Sequence, residues 1–265
     1  MDAAELDLLA QTLRKTMRDV SGAELHTALV DLGWQEMLTD APDATVPLVF
    51  RLLGETGAHA PLLNDVVRAA GGLSADDPVA LPWSGGTWVR WDHADDASGA
   101  DRSPTLDADL PIRAVPAGAP IPLAEGRRAL GWWLTGASRA MLALARTHAV
   151  DRVQFGRPVA SFQAIRHRLA ETFVAIEGAE ATLAAATDDL GSLLAKAAAG
   201  RAALITARHC QQTLGGIGFT AEHDLHRHIR RVLVLDGLLG SSRELVREAG
   251  AIARASGTAA RLVQL

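Results

Sequence analysis

Between positions 121 and 265 apolar residues recur every three or four positions, over stretches too long for strands, and that period leaves few folds open. Leu130, Trp133, Leu134, Ala137, Met141, Leu144 and Ala145 fall on one face of a segment ending near Ala149. After Pro158, the residues Val159, Phe162, Ile165, Leu169, Phe173 and Ile176 step in the same way. The alanine-rich run 179–214 predicts a third helix, punctuated by Gly191, and Ser242 to Ala255 a fourth. Helices with one apolar face bury it against one another, so an antiparallel bundle is expected, with these faces as its core.

Charge and composition divide the rest. Residues 1–75 carry 5 basic and 11 acidic groups and read as a short helical domain, with Leu6, Leu9, Leu13 and Met17 at helical spacing. Leu29, Leu32, Val46, Leu48 and Leu52 continue the pattern. Residues 76–120 hold six of the eleven prolines and eight Asp. There WVRW and LPIRAVPA are the only β-like runs, separated by the loop-like HADDASGADRSPTLDAD. Residues 121–265 invert the balance, with 18 basic groups against 12 acidic, a setting for an anionic ligand or an acidic surface. The net charge of −5 argues against binding nucleic acid through phosphate neutralisation. Cys210, the one cysteine, excludes an internal disulfide and a CxxC metal knuckle. The start lacks an apolar signal core, and no apolar run approaches the roughly 20 residues of a membrane span. An intracellular, cytoplasmic protein is expected.

Two segments are not explained by packing. Gly156 and Pro158 break the helical pattern, so Arg152 and Gln154 are expected at one helix end and Gln163 in the first turns of the next. Arginine there presents a planar fork suited to phosphate, although a solvated helix-end arginine reads the same way. The second segment runs from Gln211 to Thr220, with Gly215, Gly216 and Gly218 interrupting the third helix. Glycines admit close backbone approach, and Gln212 can pair with an amide-like edge. The segment lacks the Lys-Ser/Thr pair of a Walker loop and the preceding strand of a dinucleotide fingerprint. By composition alone it is a turn between helices.

Together these segments resemble the acyl-CoA dehydrogenase family, whose C-terminal domain carries Arg-x-x-Phe-Gly, a glutamine eight residues after the phenylalanine, and a later Gln-x-x-Gly-Gly-x-Gly-Phe. Here those are Arg152 to Gly156, Gln163, and Gln212 to Phe219. Glu222 to His226 with Arg230 and Arg231 is similar to the family pattern, as are Leu32-Gly33-Trp34 and Leu53-Gly54-Glu55 before Pro61-Leu62-Leu63. The resemblance implies a mainly α protein with FAD as cofactor. It implies that Arg152, Gln154 and Phe155 contact the pyrophosphate and adenosine half of FAD across a subunit interface. Gln163, Gln212, Gly215 and Gly216 then line the same groove. His223, His226 and His228 read as a polar turn of the family rather than a metal site.

Two departures stand out. The middle β-domain that covers the flavin is strongly reduced, to 76–120, and Trp83, Trp88 and Trp91 read as plugs over a helix face. About 45 residues cannot close an eight-stranded barrel. The family's glutamate base, in a Glu-Gly-Thr/Ser triplet, falls in register on Leu239-Gly240-Ser241, and leucine takes no proton. Its alternative position in some members falls on Gly126, with Glu125 one residue, about 100°, away. Asp236 and Glu244 are out of register. The expectation is a subunit without a catalytic residue of its own, in an α2β2 assembly with a full-length-like acyl-CoA dehydrogenase partner. That partner supplies the glutamate, and the complex desaturates an acyl-CoA, as in bacterial steroid side-chain breakdown. The alternatives are a self-sufficient homo-oligomer using Glu125 and a non-catalytic scaffold.

Overall fold

The computed structural model describes residues 3–74, 77–92 and 106–257. Five helices come first: α1 (Ala3–Asp19), α2 (Gly22–Asp31), α3 (Trp34–Asp40), α4 (Pro42–Thr56) and α5 (Leu62–Gly71). Strands β1 (Leu81–Trp83), β2 (Thr87–Trp91) and β3 (Ile112–Val115) form one antiparallel sheet in that order, with Leu81 opposite Val89 and Trp88 opposite Val115. The long helix α6 (Ala124–Asp151) leads to a two-stranded hairpin, β4 (Val153–Gln154) and β5 (Arg157–Pro158). Four helices complete the chain: α7 (Gln163–Ala185), α8 (Asp189–Leu214), α9 (Leu225–Gly237) and α10 (Ser242–Ser256).

Helix α6 is the axis of the molecule, and α4, α7, α8 and α9 pack around it. It crosses α4 where both chains carry glycine. A Cβ on Gly136 would lie 2.1 Å from the Arg51 carbonyl oxygen, and one on Gly54 would lie 2.3 Å from the Ala137 nitrogen. Only glycine permits that backbone approach. One aromatic chain then ties four elements together. Trp34 of α3 lies 6.5 Å from Phe50 of α4, Phe50 lies 5.8 Å from Trp133 of α6, and Trp133 stacks 5.6 Å from Trp91 of β2. Such rings bury large areas and add edge and stacking attraction. A continuous core therefore includes residues from both the first helices and the bundle. Trp83 covers Gly237 of α9, and Leu239 donates its N–H to the Pro82 carbonyl at 2.8 Å.

Several elements differ from the sequence reading. The run 179–214 is divided, because α7 ends at Ala185 and the Asp188 carboxylate caps α8 by accepting from the Gly191 N–H at 2.6 Å. Gly191 is thus a capped first-turn residue and no interruption. The segment taken for a polar turn enters a helix, α9. β1 was not expected, since Pro82 and the following Ser-Gly-Gly hide a strand that supplies edge pairing before a turn. Of the 93–109 loop only 106–109 are described, and Asp107 there is buried against Arg231. Not every face read as core is buried within the chain: Phe173 is 48% and Leu32 is 41% exposed. The stretch Asp189–Phe219 is long and apolar enough to span a membrane by length and composition, against expectation, yet it is mostly buried as the bundle's central helix.

Candidate functional site

Because α7 runs back along α6 and α8 back along α7, three helix ends meet at one end of the bundle. These are the C-terminus of α6, the N-terminus of α7 and the C-terminus of α8. Arg152, Gln163 and Gln212 therefore share that end although they span sixty residues of sequence. Arg152 closes α6, its N–H donating to the His148 carbonyl at 2.9 Å, and its own carbonyl accepts from the Val159 N–H at 2.8 Å. Its side chain is exposed and enters no ion pair among the described residues.

Between β4 and β5 the chain turns through Phe155 and Gly156, both with positive φ (54° and 76°). That is a two-residue hairpin turn of the mirror-image type, whose first position favours Asn, Asp or Gly. Phenylalanine in the left-handed region costs about 1–2 kcal/mol, and here the ring is 89% exposed, so burial does not offset it. Within the chain the ring meets Phe162 edge-on, with centroids 6.1 Å apart. Gln154 is exposed on β4, opposite Arg157. Gln163 opens α7 with its amide nitrogen 3.3 Å from His167 Nε2, and Gln212 is exposed on the last turns of α8.

The glycines of the second motif do different work. Gly215 adopts φ 64° and ψ −137°, a conformation essentially confined to glycine. A Cβ on Gly218 would lie 2.7 Å from the Gln211 carbonyl oxygen. Gly216 is exposed, and a Cβ there would meet nothing within 4 Å, so the backbone at this point is open to a ligand. Gln211, not singled out from sequence, closes the turn by donating Nε2–H to the Gly218 carbonyl at 3.2 Å. The adjacent Gln-Gln pair was its signal.

A cleft of about 770 Å³, also unforeseen, opens beside Arg152 between α6, α9 and the end of α4. Ala140, Ala143 and Leu144 are among its lining, with Arg152, His148 and Arg227. Burial first, then Arg231 and Arg227, pushes the His228 imidazole down to about 4, and burial also lowers His148. At neutral pH the His228 ring is uncharged, and Arg152 and Arg227 are exposed cations of the cleft. Arg231 is spent on structure: it pairs with Asp107 and donates to the carbonyls of Gly57 and Ala58 at 3.3 and 3.2 Å. His223 Nδ1 accepts the Leu225 N–H at 3.1 Å and the His223 carbonyl meets His226 Nδ1 at 2.8 Å, both capping α9. Among the described residues no His, Cys and carboxylate group has the makings of a metal site.

The opposite end of α6 is closed. Leu239 is 1% exposed with φ 56°, and its Cδ1 lies 2.8 Å from where a Gly126 Cβ would sit, with Val67 Cγ2 at 2.9 Å. The register position of the base is thus filled by apolar packing. Glu125 lies on the first turn of α6, its side chain about half exposed and 3.1 Å from Arg128. Asp236 accepts from the Ser242 N–H at 3.1 Å, and Glu244 makes the capping box with Ser241 while accepting the Gly85 N–H at 2.8 Å. Fully buried Lys196 donates to the carbonyls of Asp236 and Gly240 at 2.6 and 2.5 Å.

Fold and site together define a helical-bundle protein with one end of α6 open to solvent and the other packed with apolar side chains. Residues 121–255, just over half of the chain, match the family model "Acyl-CoA dehydrogenase, C-terminal domain". This chain belongs to the acyl-CoA dehydrogenase family. It is 35% identical over 210 residues to acyl-CoA dehydrogenase FadE34 of Mycobacterium tuberculosis, a match covering 72% of this chain and 29% of that protein. It is 40% identical over 115 residues to acyl-CoA dehydrogenase IpdE2 of the same organism, covering 42% of this chain and 36% of the relative. The matches therefore span about a third of those relatives' length. By fold it resembles a chain of the Tcur3481-Tcur3483 steroid ACAD variant, with a TM-score of 0.75 at 20% identity, covering 97% of this chain and 99% of that one. A chain of the ChsE4-ChsE5 complex from Mycobacterium tuberculosis gives a TM-score of 0.71 at 18% identity, covering 98% and 99%.

Proposed function

We propose that this chain is a subunit of a heteromeric, FAD-dependent acyl-CoA dehydrogenase. It lends its Arg152 end to a flavin whose ring is held by a full-length-like partner, and it has no acyl site of its own. The observation that carries the reading is Leu239, packed against Gly126 where the family's base belongs. The residues at the other end suit the cofactor. Arg152 forms no ion pair among the described residues and offers the planar fork that a diphosphate accepts, although Glu55, Asp151 and Asp224 line the same cleft. Gly216 leaves backbone open, Gln163 and Gln212 present amides beside it, Gln154 lies on the adjoining strand, and Phe155 supplies an exposed ring for an adenosine. FAD, when bound, supplies the acceptor for hydride from the acyl β-carbon, and the partner's glutamate takes the α-proton. This chain's part is to bind and orient the adenosine half, so that the flavin is fixed where the partner needs it.

The assembly we assign is α2β2, in keeping with the two-component names of the Tcur3481-Tcur3483 and ChsE4-ChsE5 proteins whose fold it shares. The thioester we assign is of the steroid side-chain class, in keeping with the Tcur3481-Tcur3483 protein, a steroid ACAD. Colour tests the reading: the chain is purified alone and together with the product of its adjacent gene. Flavin retained only by the pair is the expected result. Flavin in the lone chain, with turnover lost in Glu125→Gln, would replace it with the self-sufficient enzyme. Flavin in neither preparation would leave a scaffold of the same fold.

A further inference from the structure

We propose that Phe162 is a positioning residue for the open end, holding both the Phe155 tip and the Arg157 cation; the inference rests on the cofactor site proposed above. The hairpin has little of its own to hold it. Its ladder is two residues per strand, and a further backbone bond at its base runs from the Val159 N–H to the Arg152 carbonyl. A pair of strands that short does not fix the direction of its tip in water.

Phe162 supplies what the ladder lacks. It stands at the N-cap of α7, its N–H donating to the Val159 carbonyl at 3.1 Å, and its ring is half-buried. Phe155 meets that ring edge-on, with centroids 6.1 Å apart and planes at 84°. The Arg157 guanidinium carbon lies 4.3 Å from the ring centroid of Phe162. One ring therefore orients the strained aromatic and a second cation, which has no ion-pair partner among the described residues. Edge-to-face pairs and cations over a ring face are each attractive at these separations. Groups held in place beforehand lose less freedom when a ligand arrives, so the ring's contribution is to affinity more than to fold stability.

Three variants of the full chain separate face, bulk and fold: Phe162→Leu, Phe162→Tyr and, as reference, Arg152→Ala. In the chain alone, amide exchange over residues 153–158 is expected to rise sharply in Phe162→Leu and to stay near wild type in Phe162→Tyr, with Tm little changed in either. In the flavin-bearing complex, Phe162→Leu is expected to weaken FAD about 5–10-fold and Phe162→Tyr to restore it. Unchanged exchange in Phe162→Leu, or FAD affinity equal to wild type, would overturn the proposal, as would a Tyr variant that fails to rescue. If Arg152→Ala also leaves FAD affinity untouched, the cofactor site itself is wrong. The exchange measurement, made without flavin, still decides whether Phe162 braces the hairpin.

Discussion

The two ends of α6 treat their polar groups in opposite ways. Around Leu239 they are used up on one another. Lys196 caps two carbonyls, Asp236 holds Ser242, and Glu244 ties Ser241 to the Gly85 turn. Around Arg152 they face solvent, with an exposed arginine, the exposed glutamines Gln154, Gln163 and Gln212 and a strained ring. Both ends contain a non-glycine residue with positive φ, Leu239 and Phe155. At Leu239 burial of the whole side chain offsets the strain, whereas the Phe155 ring is 89% exposed and has the edge-on contact with Phe162 in place of burial. The contrast separates structural strain from strain kept for a ligand, a distinction that φ alone does not make.

The sharpest test puts the acid back. Leu239→Glu places a carboxyl beside Gly126 and Val67, in a space already filled by apolar side chains. We expect it to destabilise the chain by about 2–4 kcal/mol in denaturant unfolding, and to create no dehydrogenation in the chain alone. A stable, active variant would erase the difference between the ends. Arg152→Ala should do the reverse. FAD binding by the complex should weaken by about 1.5–3 kcal/mol, as for loss of a charge-assisted hydrogen bond, while Tm hardly moves. A fall in Tm with affinity intact would make the open end structural as well.

How much of this contrast was legible follows from the length scale of each feature. The face of α6 was written in its periodicity, because a long helix against a core repeats its apolar residues regardless of neighbours. Of the six residues read as the face of α7, by contrast, only Ile176 is buried, and the helix begins at Gln163. α9 was hidden, since its first turns carry His226, Arg227, His228, Arg230 and Arg231, and only the tertiary partners of Arg231 show why they are tolerated. The break at Ala186 to Asp188 was lost in an alanine-rich run, although Thr187-Asp188 carried a capping signal. Arg152, Gln163 and Gln212 could be named from motif spacing. Their convergence depends on α7 and α8 doubling back. The cleft beside them is made by α4, α6 and α9, too far apart in sequence for any local pattern to join.

Acid should unlock the two ends in different windows. Burial, reinforced by Arg231, holds His59 and His228 near the open cleft at about 4 against an ordinary 6.5. Between those values the unfolded chain binds protons that the folded chain refuses. Their contribution is therefore complete above pH 6.5 and is lost as pH falls toward 4. Glu244, at the closed end, is held down to about 2 against 4.5 by the Gly85 N–H first and Ser241 next. Its contribution is present above pH 4.5 and fades as pH falls toward 2, damped because the carboxylate is partly solvated. Amide exchange along a pH series should show the Gly57–His59 and α9 segment loosening first, and Gly85 with Ser241 later. Simultaneous loosening would mean the ends are one cooperative unit.

The smallest expected effect is the most discriminating. In Phe155→Asn the turn receives the residue its backbone prefers, since the Asn side chain tolerates the left-handed region that phenylalanine enters at a cost. Nothing buried is lost, because the ring is 89% exposed; its contact with the Phe162 ring is given up. We expect a gain of about 0.5–1 kcal/mol in stability together with weaker FAD binding by the complex. The opposite signs matter more than the sizes. A residue kept for packing loses stability when replaced, whereas one kept for a ligand gives stability back and loses the ligand. Urea unfolding of the chain alone and flavin titration of the complex read the two signs separately. Loss of stability with unchanged flavin affinity would show that Phe155, like Leu239, is held in its conformation by the fold.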